Sequence, residues 1–226
     1  MIGIYFIAII FMLIGWLVSM QLKNKFKKYS QLTIASGLSG KEIAEKMLRD
    51  NNIFDVKVMS TDGQLTDHYN PLQKTVNLSK DVYLGRNAAA AAVAAHECGH
   101  AVQHARHYSM LQLRSALVPV VSVSSRYMQW VLLGGILMIN TFPSLLLFGI
   151  LMFGLTTLFA FVTLPVEFDA SNRALVWLKS SRLTNEAEQK MAKDALWWAA
   201  MTYVVAALSA LATLFYYIMI YMGRRN

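Results

Sequence analysis

Charge is what this chain has least of. Only 15% of its 226 residues are Asp, Glu, Lys or Arg, while 56% are hydrophobic; soluble domains carry about 25% charged residues. That balance argues against an ordinary soluble domain. It fits a protein that crosses a membrane several times. Cysteine is nearly absent too. The single Cys98 excludes an intramolecular disulfide framework and fits a reducing compartment. There is no internal repeat, no low-complexity linker and no glycine loop of the phosphate-binding kind. Acidic residues are outnumbered 13 to 21, for a net charge of +8. A basic chain can bind nucleic acid, but here the bases cluster beside apolar runs. That is the mark of cytoplasmic flanks, so the expected partner is the lipid bilayer and no nucleic acid.

What is present is a set of long apolar runs. Met1–Met20 carries no charge, includes Trp16, and is long enough to cross a bilayer. Lys23, Lys25, Lys27 and Lys28 follow at once, which puts that end in the cytoplasm and the N-terminus outside. A cleaved signal peptide fits poorly, because the charges come after the run and no A-x-A-like site follows. Tyr108–Ile139 reads as one long helix, with Arg126 placed near the cytoplasmic interface, since a charge at mid-bilayer is costly. Asn140–Ser144 is an uncharged, external turn, and Leu145–Val166 returns. Arg173, Lys179, Arg182, Lys190 and Lys193 mark the next stretch as cytoplasmic, with Thr184 expected to cap a helix. Ala195–Tyr221 is the fourth span, with Trp197, Trp198 and Tyr216 in interfacial belts. Parity leaves the C-terminus outside, and Arg224 and Arg225 there count against the scheme. The chain thus divides into a first span (1–22), a cytoplasmic metal-binding region (23–107), a transmembrane hairpin (108–166), a cytoplasmic segment (167–194) and a last span with its tail (195–226).

Residues 31–107 are mixed in character and suit a small domain. Ser39 and Glu42 have capping-box spacing, and Ile43, Met47 and Leu48 give an amphipathic helix. Phe54, Val56 and Val58 alternate with Asp55 and Lys57 as in a half-buried strand. Thr66–Tyr69 and Thr75–Leu78 flank Asn70–Gln73, which reads as a turn. The resulting sheet is either a plain structural hairpin or an edge to which an extended peptide adds as a strand.

One stretch carries chemistry: Ala94-Ala95-His96-Glu97-Cys98-Gly99-His100-Ala101, an H-E-x-x-H inside an alanine-rich helical run capped by Asn87. Two histidines four apart on a helix stand nearly above one another and can share one metal ion, most simply Zn²⁺. Glu97 sits beside the metal without ligating it, placed to take a proton from water. Cys98 points to the far side of the helix and is expected to pack. Gly99 is costly in mid-helix, so another segment should pass close there. His104 and His107 continue the helix; His104 is either a support to the site or a surface residue. The longer pattern with a third histidine fails, because His104 and Arg106 occupy its Gly and His positions.

The third ligand must therefore come from elsewhere. The hairpin returns Pro165–Asp169 to the side of the metal helix, and Glu167 is the candidate: two His and one Glu make a hydrolytic zinc site. The plainer alternative is an acidic helix end beside Arg173. Asp169 and Asn172 are candidates to orient a ligand histidine.

The sequence resembles the membrane-bound neutral zinc metallopeptidases of the bacterial YugP type. The resemblance rests on Asp67–Pro71, Ala94–Gln103, Leu164–Ser171 and Met201–Leu208, in that order along nearly the whole chain. It implies a multi-pass zinc peptidase of the plasma membrane, with His96 and His100 as ligands and Glu97 as base. Similarity to gluzincins in general implies Glu167 as third ligand. The heat-shock membrane proteases place an Asp four residues after that Glu; here Ser171 stands there, which leaves the orienting residue open. The expected fold is mainly α: four transmembrane helices plus a small α/β, zincin-like cytoplasmic domain that carries the H-E-x-x-H helix. The expected activity is hydrolysis of membrane-associated proteins or peptides near the cytoplasmic surface, with His68, Tyr69 and Arg173 as candidate oxyanion donors. Two rivals stand beside it: an intramembrane-cleaving protease, and a zinc-bearing scaffold without activity.

Overall fold

The computed structural model describes residues 2–223; Arg224 and Arg225 lie outside them. The chain is mainly helical, with one small sheet. In order it forms α1 (Ile2–Tyr29), α2 (Gly40–Asp50), β1 (Lys57–Thr61), β2 (His68–Asn70), β3 (Thr75–Ser79), α3 (Lys80–Tyr83), α4 (Ala88–Ala105), α5 (Ser109–Leu137), α6 (Pro143–Ser180) and α7 (Glu186–Gly223). Four of these, α1, α5, α6 and α7, are long and apolar enough to cross a membrane. Contacts divide the chain into two compact units.

One unit comprises the chain up to Leu17, Gln112–Leu164, and the part from Thr202 onward. Its interior is a cluster of Leu132, Leu146 and Ile150, with Phe153 and Tyr217 packed on it. Gly135 lets α6 approach α5, since a Cβ there would stand 2.5 Å from Leu146 Cα.

The other unit comprises Val18–Leu111 and Pro165–Met201. Helix α2 starts on the expected capping box: Glu42 N–H donates to Ser39 Oγ, and Ser39 N–H donates back to the Glu42 carboxylate. Ile43, Met47 and Leu48 are buried to 2% exposure or less, each contributing about 1.5–3 kcal/mol of hydrophobic stabilisation. They pack with Val76 and Leu78 of the sheet and with the alanines of α4. The sheet order is β1-β3-β2, with β1 parallel and β2 antiparallel to β3. Asn70 makes the β2–β3 turn by accepting from the N–H groups of Leu72 and Gln73.

Three local expectations are corrected. The strand begins at Lys57 rather than Phe54. Asn52, at φ 59°, turns the chain so that Ile53 enters the core and Phe54 stays 77% exposed. His107 does not continue the helix: α4 ends at Ala105, and His107 takes a left-handed φ of 53°. Asn185, not Thr184, caps α7. Its Oδ1 accepts from Glu188 N–H, while its own N–H donates to the Glu188 carboxylate. Thr184 instead turns its hydroxyl to Gln189.

Candidate metal centre

Helix α4 is buried on nearly every side. Its run of alanines explains both its helicity and its fit: alanine is the best helix former, and a methyl side chain lets neighbours crowd in. Asn87 Oδ1 caps it by accepting from Ala90 N–H. Cys98 is fully buried, its thiol turned to the Ala44 carbonyl and its pKa pushed well up by that burial, so it is a packing residue. Gly99 is where α6 passes: a Cβ there would meet the Ala170 carbonyl oxygen at 2.6 Å.

That close approach brings Glu167, one turn before Ala170, to the two histidines. The rings of His96 and His100 stand edge to face with centroids 4.8 Å apart. Glu167 Oε2 lies 3.3 Å from His96 Nε2 and 3.6 Å from His100 Nε2. One donor atom from each of the three lies within 4.8 Å of the others, and theirs is the group of described residues able to hold one ion. The spacing fits a metal better than it fits direct hydrogen bonds, which favour about 2.7–3.2 Å. Donors that each sit about 2.1 Å from a tetrahedral zinc stand about 3.4 Å apart. The donor chemistry fits as well: two imidazoles and a carboxylate, with Glu167 only 3% exposed. A buried carboxylate needs a compensating cation.

Each histidine is held from behind. His96 Nδ1 is 3.1 Å from Ser171 Oγ, and His100 Nδ1 is 3.0 Å from Gln103 Oε1. Gln103 Nε2 donates to the Val166 carbonyl and to Asp169 Oδ2, each at 2.8 Å. Arg173 Nε donates to the same Asp169 oxygen at 2.5 Å. Burial opposes protonation of His100, but the Glu167 carboxylate and the Glu97 charge outweigh it and hold the imidazole above its ordinary pKa. Glu97 follows His96 on α4 and is 8% exposed.

Asp169 reaches His100 only through Gln103. Asn172 is exposed on α6. Arg173 is tied to Asp169 and lies over the Tyr108 ring. Tyr69 Oη is 2.9 Å from His104 Nδ1, which links β2 to the end of α4. His68 is exposed, with its ring nitrogens near the Thr66 carbonyl and Asn77. Asp67 holds Ser79 and lines a cavity of about 450 Å³ with Phe26, Leu65 and Val82. None of the three donors lines that cavity, so Asp67 belongs to its wall rather than to the metal centre.

Two residues at the site escaped sequence reasoning in these roles. Ser171 stands four after Glu167 and itself meets His96. Gln103 is a polar residue one turn after His100 in a largely buried helix, and that position was the available signal.

The family described as "putative neutral zinc metallopeptidase" matches residues 4–222. The chain belongs to this family. Among curated proteins, the "Putative membrane protease YugP" of Bacillus subtilis (strain 168) is 40% identical over 206 residues, 91% of each chain. No solved structure matches. The neutral zinc metallopeptidase family is named for zinc, and His96, His100 and Glu167 supply the donors such an ion takes. The four apolar helices and the membrane-protease relative agree on a membrane protein.

Proposed function

We propose that this chain is a membrane-bound zinc endopeptidase that hydrolyses peptide bonds close to the cytoplasmic membrane surface. The observation that carries the reading is the convergence of His96, His100 and Glu167 beside an unligated acid, Glu97. A purely structural zinc site closes with four protein ligands and needs no base.

His96, His100 and Glu167 would hold the ion. Bound there, zinc supplies a Lewis acid that activates water and polarises the scissile carbonyl. The chain's own residues do the rest. Glu97 accepts the proton from the attacking water and later delivers it to the leaving amine. Ser171 and Gln103 keep the two imidazoles turned toward the ion. β2 is an edge strand, tied to α4 through Tyr69 and His104. An extended substrate segment can add there by main-chain hydrogen bonds. Glu167 follows directly on a charge-free run of α6, and Lys23, Lys25, Lys27 and Lys28 follow the first apolar run. Both features favour a site at the cytoplasmic face, with loose segments of membrane proteins as substrates.

The test is hydrolysis of unstructured peptides by the purified full-length protein and by Glu97→Gln. Loss of a general base lowers the rate about 10²–10⁴-fold, while zinc binding should persist. Equal activity in both proteins would reject the role of Glu97.

A further inference from the structure

We propose that Gln103 is a positioning residue that selects the tautomer of His100 and pins the Glu167 segment with the same amide. The inference rests on the zinc reading above, but its first test does not need zinc.

Gln103 is completely buried, and each end of its amide has a defined partner. Two groups lie 2.8 Å from Nε2: the Val166 carbonyl and the Asp169 carboxylate. Both are acceptors, so the donating nitrogen must face them. That leaves Oε1, which can only accept, 3.0 Å from His100 Nδ1. The contact is a hydrogen bond only when Nδ1 carries the proton. A neutral imidazole has one N–H, so Nε2 is then the bare nitrogen. Nε2 is also the atom that faces Glu167, and a metal takes only an unprotonated nitrogen. Ser171, at His96, makes no such choice, because a hydroxyl both donates and accepts.

The second role follows from the same bonds. Val166 and Asp169 bracket Glu167 on α6, and the Gln103 amide holds both. One side chain of α4 therefore sets an imidazole donor and the approach of the carboxylate donor together. Arg173 steadies the arrangement by donating to Asp169.

The experiment uses full-length protein in detergent, stripped of metal by chelation. Imidazole ¹⁵N NMR at alkaline pH reads the His100 tautomer, and chelator competition reads zinc affinity. In the wild-type protein His100 should be Nδ1–H. Gln103→Leu should lose that preference and bind zinc about 10–100-fold more weakly. Gln103→Glu, which keeps an acceptor at Nδ1 but loses the two amide N–H donors that hold Val166 and Asp169 together, should keep the tautomer. A wild-type His100 protonated on Nε2 overturns the proposal even if no variant folds. Zinc affinity of Gln103→Leu within twofold of wild type overturns it as well. A wild-type protein with Nδ1–H at His100 and no affinity for zinc would count against the peptidase reading alone.

Discussion

Replacing Gly99 by alanine should loosen the metal centre while leaving the fold nearly as stable as before. The added Cβ would stand 2.6 Å from the Ala170 carbonyl oxygen and 3.1 Å from its carbon and Cα. Ordinary contact begins at 3.4 Å, so that backbone must retreat by up to 0.8 Å. A carbonyl cannot swing aside as a side-chain tip does, so the α6 segment itself moves. Glu167 lies one turn earlier on that segment. Metal–ligand distances tolerate only about 0.2 Å, and the carboxylate would leave the reach of an ion held by His96 and His100. Two effects oppose each other in stability: alanine gains about 1 kcal/mol of helix propensity over glycine, whereas overpacking costs about 1–3 kcal/mol. The net change in unfolding free energy is therefore small, and zinc affinity is the sensitive readout. We expect the zinc Kd to rise at least about tenfold, or about 1.4 kcal/mol, with a shift of a few degrees in the Tm of the zinc-free protein. Chelator competition and thermal unfolding measure the two. Wild-type zinc affinity in Gly99→Ala would refute the reasoning.

The raised His100 pKa gives a pH dependence with a definite sign. A histidine whose folded pKa lies above its unfolded value, 6.5, contributes stability that is complete below that value and is lost as pH rises through the folded one. The Tm of the zinc-free protein should therefore fall as pH is raised from 6.5 upward, and Glu167→Gln should flatten the slope; a rising Tm in the wild type contradicts it. Tyr69→Phe, which removes the half-exposed bond to His104, should cost no more than about 1 kcal/mol in chemical denaturation and leave zinc affinity unchanged; a loss of zinc would place Tyr69 at the centre instead.

The parts of the site that were legible in the sequence are those written in local spacing. His96 and His100 are one turn apart, so their juxtaposition needs only a helix. Gly99 announced a close neighbour because glycine in mid-helix is costly. Glu167 was legible through topology, as the acid at the end of a charge-free run that returns toward the motif. Ser171 was not assigned, because His96 is 75 residues away in sequence; Gln103 stands one turn from His100, but the far end of its amide meets Val166, 63 residues away, and only packing reveals that. The turn at Asn70–Gln73 was legible, and β2 and β3 pair across it as a hairpin; whether its edge takes a peptide strand was left open by the pattern. The parallel pairing of β1 with β3 carries no local mark, since apolar alternation fixes a strand's faces but not its neighbours. The strand start failed for a related reason: Phe54 has the right residue type, but the backbone turn at Asn52 gives the core position to Ile53.

The proposed activity depends on three side chains gripping one ion, and zinc content tests that most directly. Metal analysis of the purified full-length protein should find one zinc per chain in the wild type and a marked deficit in Glu167→Ala. A wild-type protein without zinc, or a Glu167→Ala protein that retains it in full, would contradict the account.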